Sequence, residues 1–144
     1  MRQDLSMVES VAAREHYLAV VATTRANGTV QATVVNAGII THPISEQRVV
    51  AFVTYGAAKK AHLRACPWAT LTFRTGWQWI TVEGDAELMG PDDPVLDPER
   101  TRLLLRDTFR AAGGDHDDWT EYDRAMQRER RAAVLVTPAR IYSN

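Results

Sequence analysis

The sequence predicts a mainly β fold, a closed or nearly closed antiparallel barrel carrying a few helices. Three observations predict it. About seven short runs of alternating or β-branched residues recur along the chain; hairpin signals join them at Asn27-Gly28 and around Gly76; and helical spacing is confined to a few brief segments.

The elements follow in order. Val8, Val11 and Ala12, with residues 15–18, predict a short amphipathic helix with Glu9 in its first turn. The period then shortens to two. Residues 18–24 and 29–37 read as strands joined through Ala26-Asn27-Gly28, since Asn-Gly supplies the positive φ angles of a tight hairpin turn. Residues 42–47 read as a loop and 48–55 as a third strand. Residues 57–65 form a cationic helix, stopped before Pro67 because the residue preceding proline avoids the helical region. Residues 68–75 and 77–89 make a second hairpin, and Gly90-Pro91-Asp92-Asp93-Pro94 breaks the chain. Residues 98–112 (Leu103, Leu104, Leu105, Phe109) and 118–130 (Trp119, Tyr122, Met126) carry apolar stripes at helical spacing. Gly113 and Gly114 fit the stop of the first helix, and Asp117 or Asp118 the cap of the second. Residues 132–137 and 140–143 read as two short strands about Pro138.

Composition narrows the function. The 144 residues fit one domain, 1–144, without repeats or linkers. A formal net charge of -1 argues against polyanion binding, so any cationic feature is local and its ligand small. Cys66 is alone, which excludes a disulfide framework and a thiolate metal cage. Neither a signal peptide nor a membrane span stands out, and a cytoplasmic location is the expectation.

That local feature is Lys59-Lys60, the two lysines of the protein, placed just after Gly56 in the first turn of the cationic helix. Free backbone N–H groups of Ala57 and Ala58 and the positive helix end favour an anion, and two ammonium groups deepen the preference. A phosphate is the expected ligand. Other chemistries are missing: there is no GxSxG, Walker A, GxGxxG, CxxC or HExxH pattern. His16, His42, His62 and His116 show no paired spacing, and no metal site is expected. His116 among Asp115, Asp117 and Asp118 reads as a capped acidic turn, and Glu83, Asp85 and Glu87 as a solvated strand face. A phosphate-gripping turn without nucleophile or metal is what a protein needs when a bound cofactor does the chemistry.

VVNAG, FVTYGAAKKAHLRACP, GWQWITVEGDAEL and DHDDWTEYDRAMQRERRAAVLVTPARIYSN, in this order, resemble the flavin/deazaflavin oxidoreductases of the pyridoxamine 5′-phosphate oxidase-like superfamily, in particular its coenzyme F420 branch. The resemblance runs from about Leu18 to Asn144. It implies a split antiparallel β-barrel with flanking helices, a homodimer with two cofactor sites at the subunit interface, and hydride transfer between reduced deazaflavin and a conjugated small-molecule acceptor. It also implies roles for residues. Lys59 matches the cofactor-phosphate lysine, and Leu63 and Pro67 complete its frame. His62 stands where asparagine is common, and either side chain can donate to phosphate. Val34, Val35 and Asn36 lie on the strand along the ring system, Val53 and Thr54 precede the phosphate turn, and Trp77 matches a residue reaching the partner subunit's cofactor. Thr29 stands where the family often has arginine. Lys60 and Arg64, one turn apart, are placed as ligands for the charged F420 tail. Tyr55, Tyr122, His42 and solvent are the proton-donor candidates. Substrate specificity is expected in loops 40–47 and 92–99. Two alternatives remain: an FMN-dependent flavoenzyme of the same fold, and a non-catalytic F420 or flavin carrier.

Overall fold

A computed structural model describes residues 4–54 and 56–144. Helix α1 (Leu5–Ala13) starts where the Asp4 carboxylate accepts from the amides of Ser6 and Met7. It begins and ends earlier than expected, leaving Glu9 mid-helix, because the chain after Ala13 turns through a left-handed corner at His16 and Tyr17. Strands β1 (Leu18–Thr24) and β2 (Val30–Asn36) form the first hairpin, with Gly28 at φ 85°. A strand not anticipated, β3 (Gly38–Thr41), follows after Ala37 alone. Then come β4 (Arg48–Thr54), α2 (Ala57–Ala65), β5 (Trp68–Thr75), β6 (Gln78–Met89), α3 (Pro98–Ala111), α4 (Trp119–Arg128) and β7 (Ala132–Ser143).

All seven strands form one antiparallel sheet in the order β2-β1-β5-β6-β7-β4-β3. Strands β2 and β3 are consecutive in the chain yet stand at opposite edges. A single connecting residue reaches only about 7 Å, so the sheet must curl until its edges nearly meet. The fold is a split barrel, open between β2 and β4.

The predicted break at Pro138 is a bulge inside one strand. Pro138 has no N–H to donate and pairs with Gly84, where the register shifts; a Cβ on Gly84 would lie 1.8 Å from the Thr137 carbonyl oxygen.

Two cores result. Inward-facing residues such as Val21, Phe52, Leu71, Phe73, Ile80 and Val134 fill the barrel, closed at one end by Val8, Val11 and Ala12 of α1 and joined by Leu63 of α2. Outside, α3 and α4 pack Leu104, Leu105, Tyr122 and Met126 over Ile40, Val49, Ala51, Ala133 and Leu135 of β3, β4 and β7. Among the described residues, no helix covers the outer face of β2, β1, β5 and β6. That face leaves Leu18, Val20, Val30 and Val34 exposed, with Val20 opposite Val34 across the β1–β2 ladder. No helix among the described residues is long and apolar enough to cross a membrane.

Candidate functional site

The split between β2 and β4 opens into a cavity of about 870 Å³, in the size range of small-molecule and cofactor sites. β2 lines it with Gln31 and residues 33–36, β4 contributes Val53 and Thr54, and the start of α2 contributes Gly56, Ala58 and Lys59. The α1–β1 corner (His16, Tyr17), the end of α3 (Thr108, Phe109, Gly113, Gly114) and Arg131 complete the wall. Register orients it. Gln31 lies near the β1 end that reaches Thr24, whereas Asn36 pairs with Leu18 and its side-chain amide donates to the His16 carbonyl at 2.8 Å. Five strand steps separate Gln31 from Asn36, about 16 Å at 3.3 Å each.

The Lys59 corner is built for an anion. Helix α2 has no side-chain cap at Gly56 and no acidic residue in its first turn, so its leading N–H groups face the cavity mouth unpaired by any cap. The Lys59 ammonium stands 5.8 Å from the centre of the Phe52 ring and, among the described residues, has no ion-pair partner. Burial holds its pKa below the ordinary lysine value, so the charge is incompletely hydrated and an anion beside it restores what water does not supply. Across the split, the side-chain oxygens of Gln31 and Thr33 are buried and, among the described residues, have no hydrogen-bond partner. Each such atom costs about 1–3 kcal/mol while unpaired. A polar ligand in this cavity would satisfy both.

Of the residues singled out from sequence, Val34, Val35, Asn36, Val53, Thr54, Ala58 and Lys59 line this one cavity. Lys60 and Arg64 do not, which corrects the expectation of a cationic track. Lys60 is 7% exposed; its ammonium donates to the Arg130 carbonyl at 3.1 Å and stands 3.8 Å from Asp92, which also pairs with the Arg130 guanidinium. Arg64 binds Asp93 through two hydrogen bonds of 2.9 and 2.7 Å. The helix explains both. Lys59 and Lys60 point about 100° apart, whereas Lys60 and Arg64, four apart, share the face that lies on the turn after β6.

Ala57 is exposed and outside the cavity wall, and His62 lies outside it too, its Nδ1 buried without a partner. Trp77 is 93% exposed at the tip of the β5–β6 hairpin, where its carbonyl accepts from the Asn144 side chain. The proton-donor candidates are elsewhere. Tyr122 donates to the Leu105 carbonyl at 3.0 Å beneath α3, with burial pushing its phenol up to about 12. His42 Nε2 lies 2.9 Å from Glu87, and its Nδ1 accepts from the amides of Ile44 and Ser45. Tyr55 lies outside the described residues. Asp118 caps α4 and the amide of Asp118 donates to His116 Nδ1, so the acidic run is a capped turn; no group of side chains among the described residues is arranged to hold a metal.

Sequence reasoning missed Gln31, Thr33, Arg131 and the His16–Tyr17 corner. For Gln31 and Thr33 a signal existed: they alternate with the outward Val30, Ala32 and Val34, and so share the inward face of β2.

Residues 8–144 match the sequence profile described as "Pyridoxamine 5'-phosphate oxidase". Similar solved structures include a conserved hypothetical protein of Mycobacterium tuberculosis (17% identity, TM-score 0.69, covering 99% of this chain and 85% of that one). A pyridoxamine 5'-phosphate oxidase-related, FMN binding protein from Nostoc punctiforme aligns at 16% identity and TM-score 0.65, over 99% of this chain and 86% of its own. A third is described as an F420 reductase, at 15% identity and TM-score 0.63, over 99% and 98% respectively. At these identities the likeness concerns the fold.

Proposed function

Because the chain belongs to the pyridoxamine 5′-phosphate oxidase family, we propose that it is an oxidoreductase that transfers a hydride between reduced coenzyme F420 and a conjugated small-molecule acceptor. The observation that carries the reading is the Lys59 corner: a desolvated ammonium and uncapped helix amides facing two unpartnered buried oxygens, Gln31 and Thr33, in a cavity long enough for an extended cofactor. Lys59 and the α2 amides hold the phosphate. Gln31 and Thr33 meet polar groups of the cofactor, and Val35 and Val53 give its ring an apolar wall. When bound, the cofactor supplies a two-electron hydride donor, and the protein supplies orientation and a site shielded from water.

The subunits pair through the bare outer face of β2, β1, β5 and β6. Leu18, Val20, Val30 and Val34 are 39–64% exposed there, a grouping that marks an interaction surface. Trp77 at the hairpin tip is free to reach the partner's cavity in such a dimer. The FMN-dependent alternative draws on a specific observation: with Lys60 and Arg64 tied to Arg130, Asp92 and Asp93, fewer cations remain for the charged tail that distinguishes F420.

The test is anaerobic mixing of protein-bound reduced F420 with a panel of enones, quinones and nitroaromatics, following cofactor absorbance. Acceptor-dependent oxidation supports the reading. If F420 binds and no acceptor oxidises it, the carrier alternative takes its place.

A further inference from the structure

The corner between α1 and β1 holds two consecutive non-glycine residues in the left-handed region, His16 at φ 57° and Tyr17 at φ 59°. One such residue is uncommon and a pair is costly, so the surroundings must impose it. They do so at several points. The Tyr17 amide donates to the Ala12 carbonyl at 2.8 Å, and the Tyr17 carbonyl accepts from Ala37 at 2.8 Å. The His16 carbonyl accepts from the Asn36 side chain at 2.8 Å. The Tyr17 hydroxyl donates to Glu9 at 2.9 Å, and its ring packs so closely on Gly113 that a Cβ there would come within 2.8 Å. The effect is to hold His16, itself exposed, at the cavity rim, about 16 Å along β2 from the Gln31 end. A cofactor anchored by its phosphate at Lys59 and extended along β2 brings its far, reacting end toward His16.

We propose that His16 is the proton donor to the acceptor at the substrate end of this cavity. The inference rests on the proposed function, whose reduced cofactor provides the electron pair. In the step, an imidazolium N–H bond breaks and an O–H or C–H bond forms on the acceptor, which has gained negative charge with the hydride. The imidazole is left neutral and recovers its proton from water. Of the side chains that titrate near neutral pH, only histidine does so without perturbation, and His16 is the histidine in this wall. The other titratable and charged groups there are Tyr17, whose hydroxyl is engaged with Glu9, Lys59 in the anion corner, and Arg131, paired with Glu129 at 2.6 Å. Arg14 and Glu15 precede the corner, and Asp115 and His116 follow Gly114 of the opposite wall.

The informative variant is His16→Asn, since asparagine tolerates the left-handed backbone and carries no proton to give at any pH. Two readouts apply. In proton NMR of the protein titrated with FMN or F420, the His16 ring signals shift while those of His42, which lies outside the cavity wall beside Glu87, stay. In single-turnover reduction of menadione, His16→Asn binds cofactor within about threefold of wild type but reacts about 10²- to 10⁴-fold more slowly. The reaction rate of wild type is expected to depend on pH through this proton, and that of His16→Asn is not. If cofactor binds yet the His16 signals do not move, or the variant keeps the wild-type rate and pH profile, His16 is not the donor and the inference falls alone. If neither cofactor binds wild type, the proposed function falls and carries this inference with it.

Discussion

Replacing Lys59 by methionine keeps the length and apolar stem of the side chain and removes only the charge. In the free protein that charge is half-buried beside Phe52, with its pKa lowered by desolvation. Removing it therefore costs the fold little, and Tm should stay the same or rise slightly. Binding is another matter. A hydrogen bond to a charged group contributes about 1.5–3 kcal/mol, which is about 10- to 150-fold in Kd. The bare Coulomb attraction of charges 4 Å apart, about 4 kcal/mol at an effective dielectric of 20, sets the upper bound before lost hydration is subtracted. The assay is fluorescence titration of FMN and F420 at 0.1 M ionic strength, with thermal melts of the same samples. Arg140→Met is the control, because Arg140 is largely exposed, pairs with Glu83 across the β6–β7 ladder and lies outside the cavity wall. Equal losses in the two variants, or a drop in Tm for Lys59→Met alone, would refute the reasoning.

Other expectations follow from the same geometry. Because burial lowers the Lys59 pKa and a bound phosphate would raise it, cofactor affinity should fall with rising pH before an ordinary lysine titrates; a flat isothermal titration series from pH 7 to 10 would contradict this. Lys60→Met strips the Arg130 carbonyl and Asp92 of a partner and should cost about 1–3 kcal/mol of stability, read by denaturant melts, with Kd for FMN changed less than in Lys59→Met. Tyr122 holds its proton more tightly folded than unfolded, so its contribution is complete below about pH 10 and is lost as pH rises through about 12. Tyr122→Phe should flatten that alkaline loss, about 2–3 kcal/mol at most. Val20→Glu with Val34→Glu should convert a dimer to monomer in sedimentation at micromolar concentration; an already monomeric wild type with intact cofactor binding would remove the paired-face reading.

Much of the fold was legible because its boundaries are chemical. Helix α2 starts after Gly56 and ends two residues before Pro67, and the Asn27-Gly28 and Gly76 turns carry the positive φ that hairpins need. Strand β3 was hidden. Gly38–Thr41 is too short to show a period, and its place is set by the barrel's closure across Ala37, a long-range effect. Pro138 misled for the opposite reason: proline usually ends a strand, but Gly84 opposite leaves room for a bulge. At the site, spacing told that Lys60 and Arg64 share a helix face without telling what that face meets. The partners, Asp92, Asp93 and Arg130, are about 30 to 70 residues away in the chain. The left-handed corner at His16 had no signal either, since histidine and tyrosine give no mark of positive φ and the contacts imposing it come from Asn36, Ala37 and Gly113.

The central claim is that the cavity between β2 and α2 takes a phosphorylated flavin-type cofactor by its phosphate. Parallel equilibrium titrations of F420, FMN and riboflavin, which lacks the phosphate, test it most directly on the wild-type protein at low and high salt. FMN is expected to bind at least about tenfold tighter than riboflavin, F420 to outbind riboflavin as well, and the advantage of both to shrink as salt screens the Lys59 corner. Riboflavin binding as tightly as FMN with the same salt response, or no binding by any of the three, would contradict it.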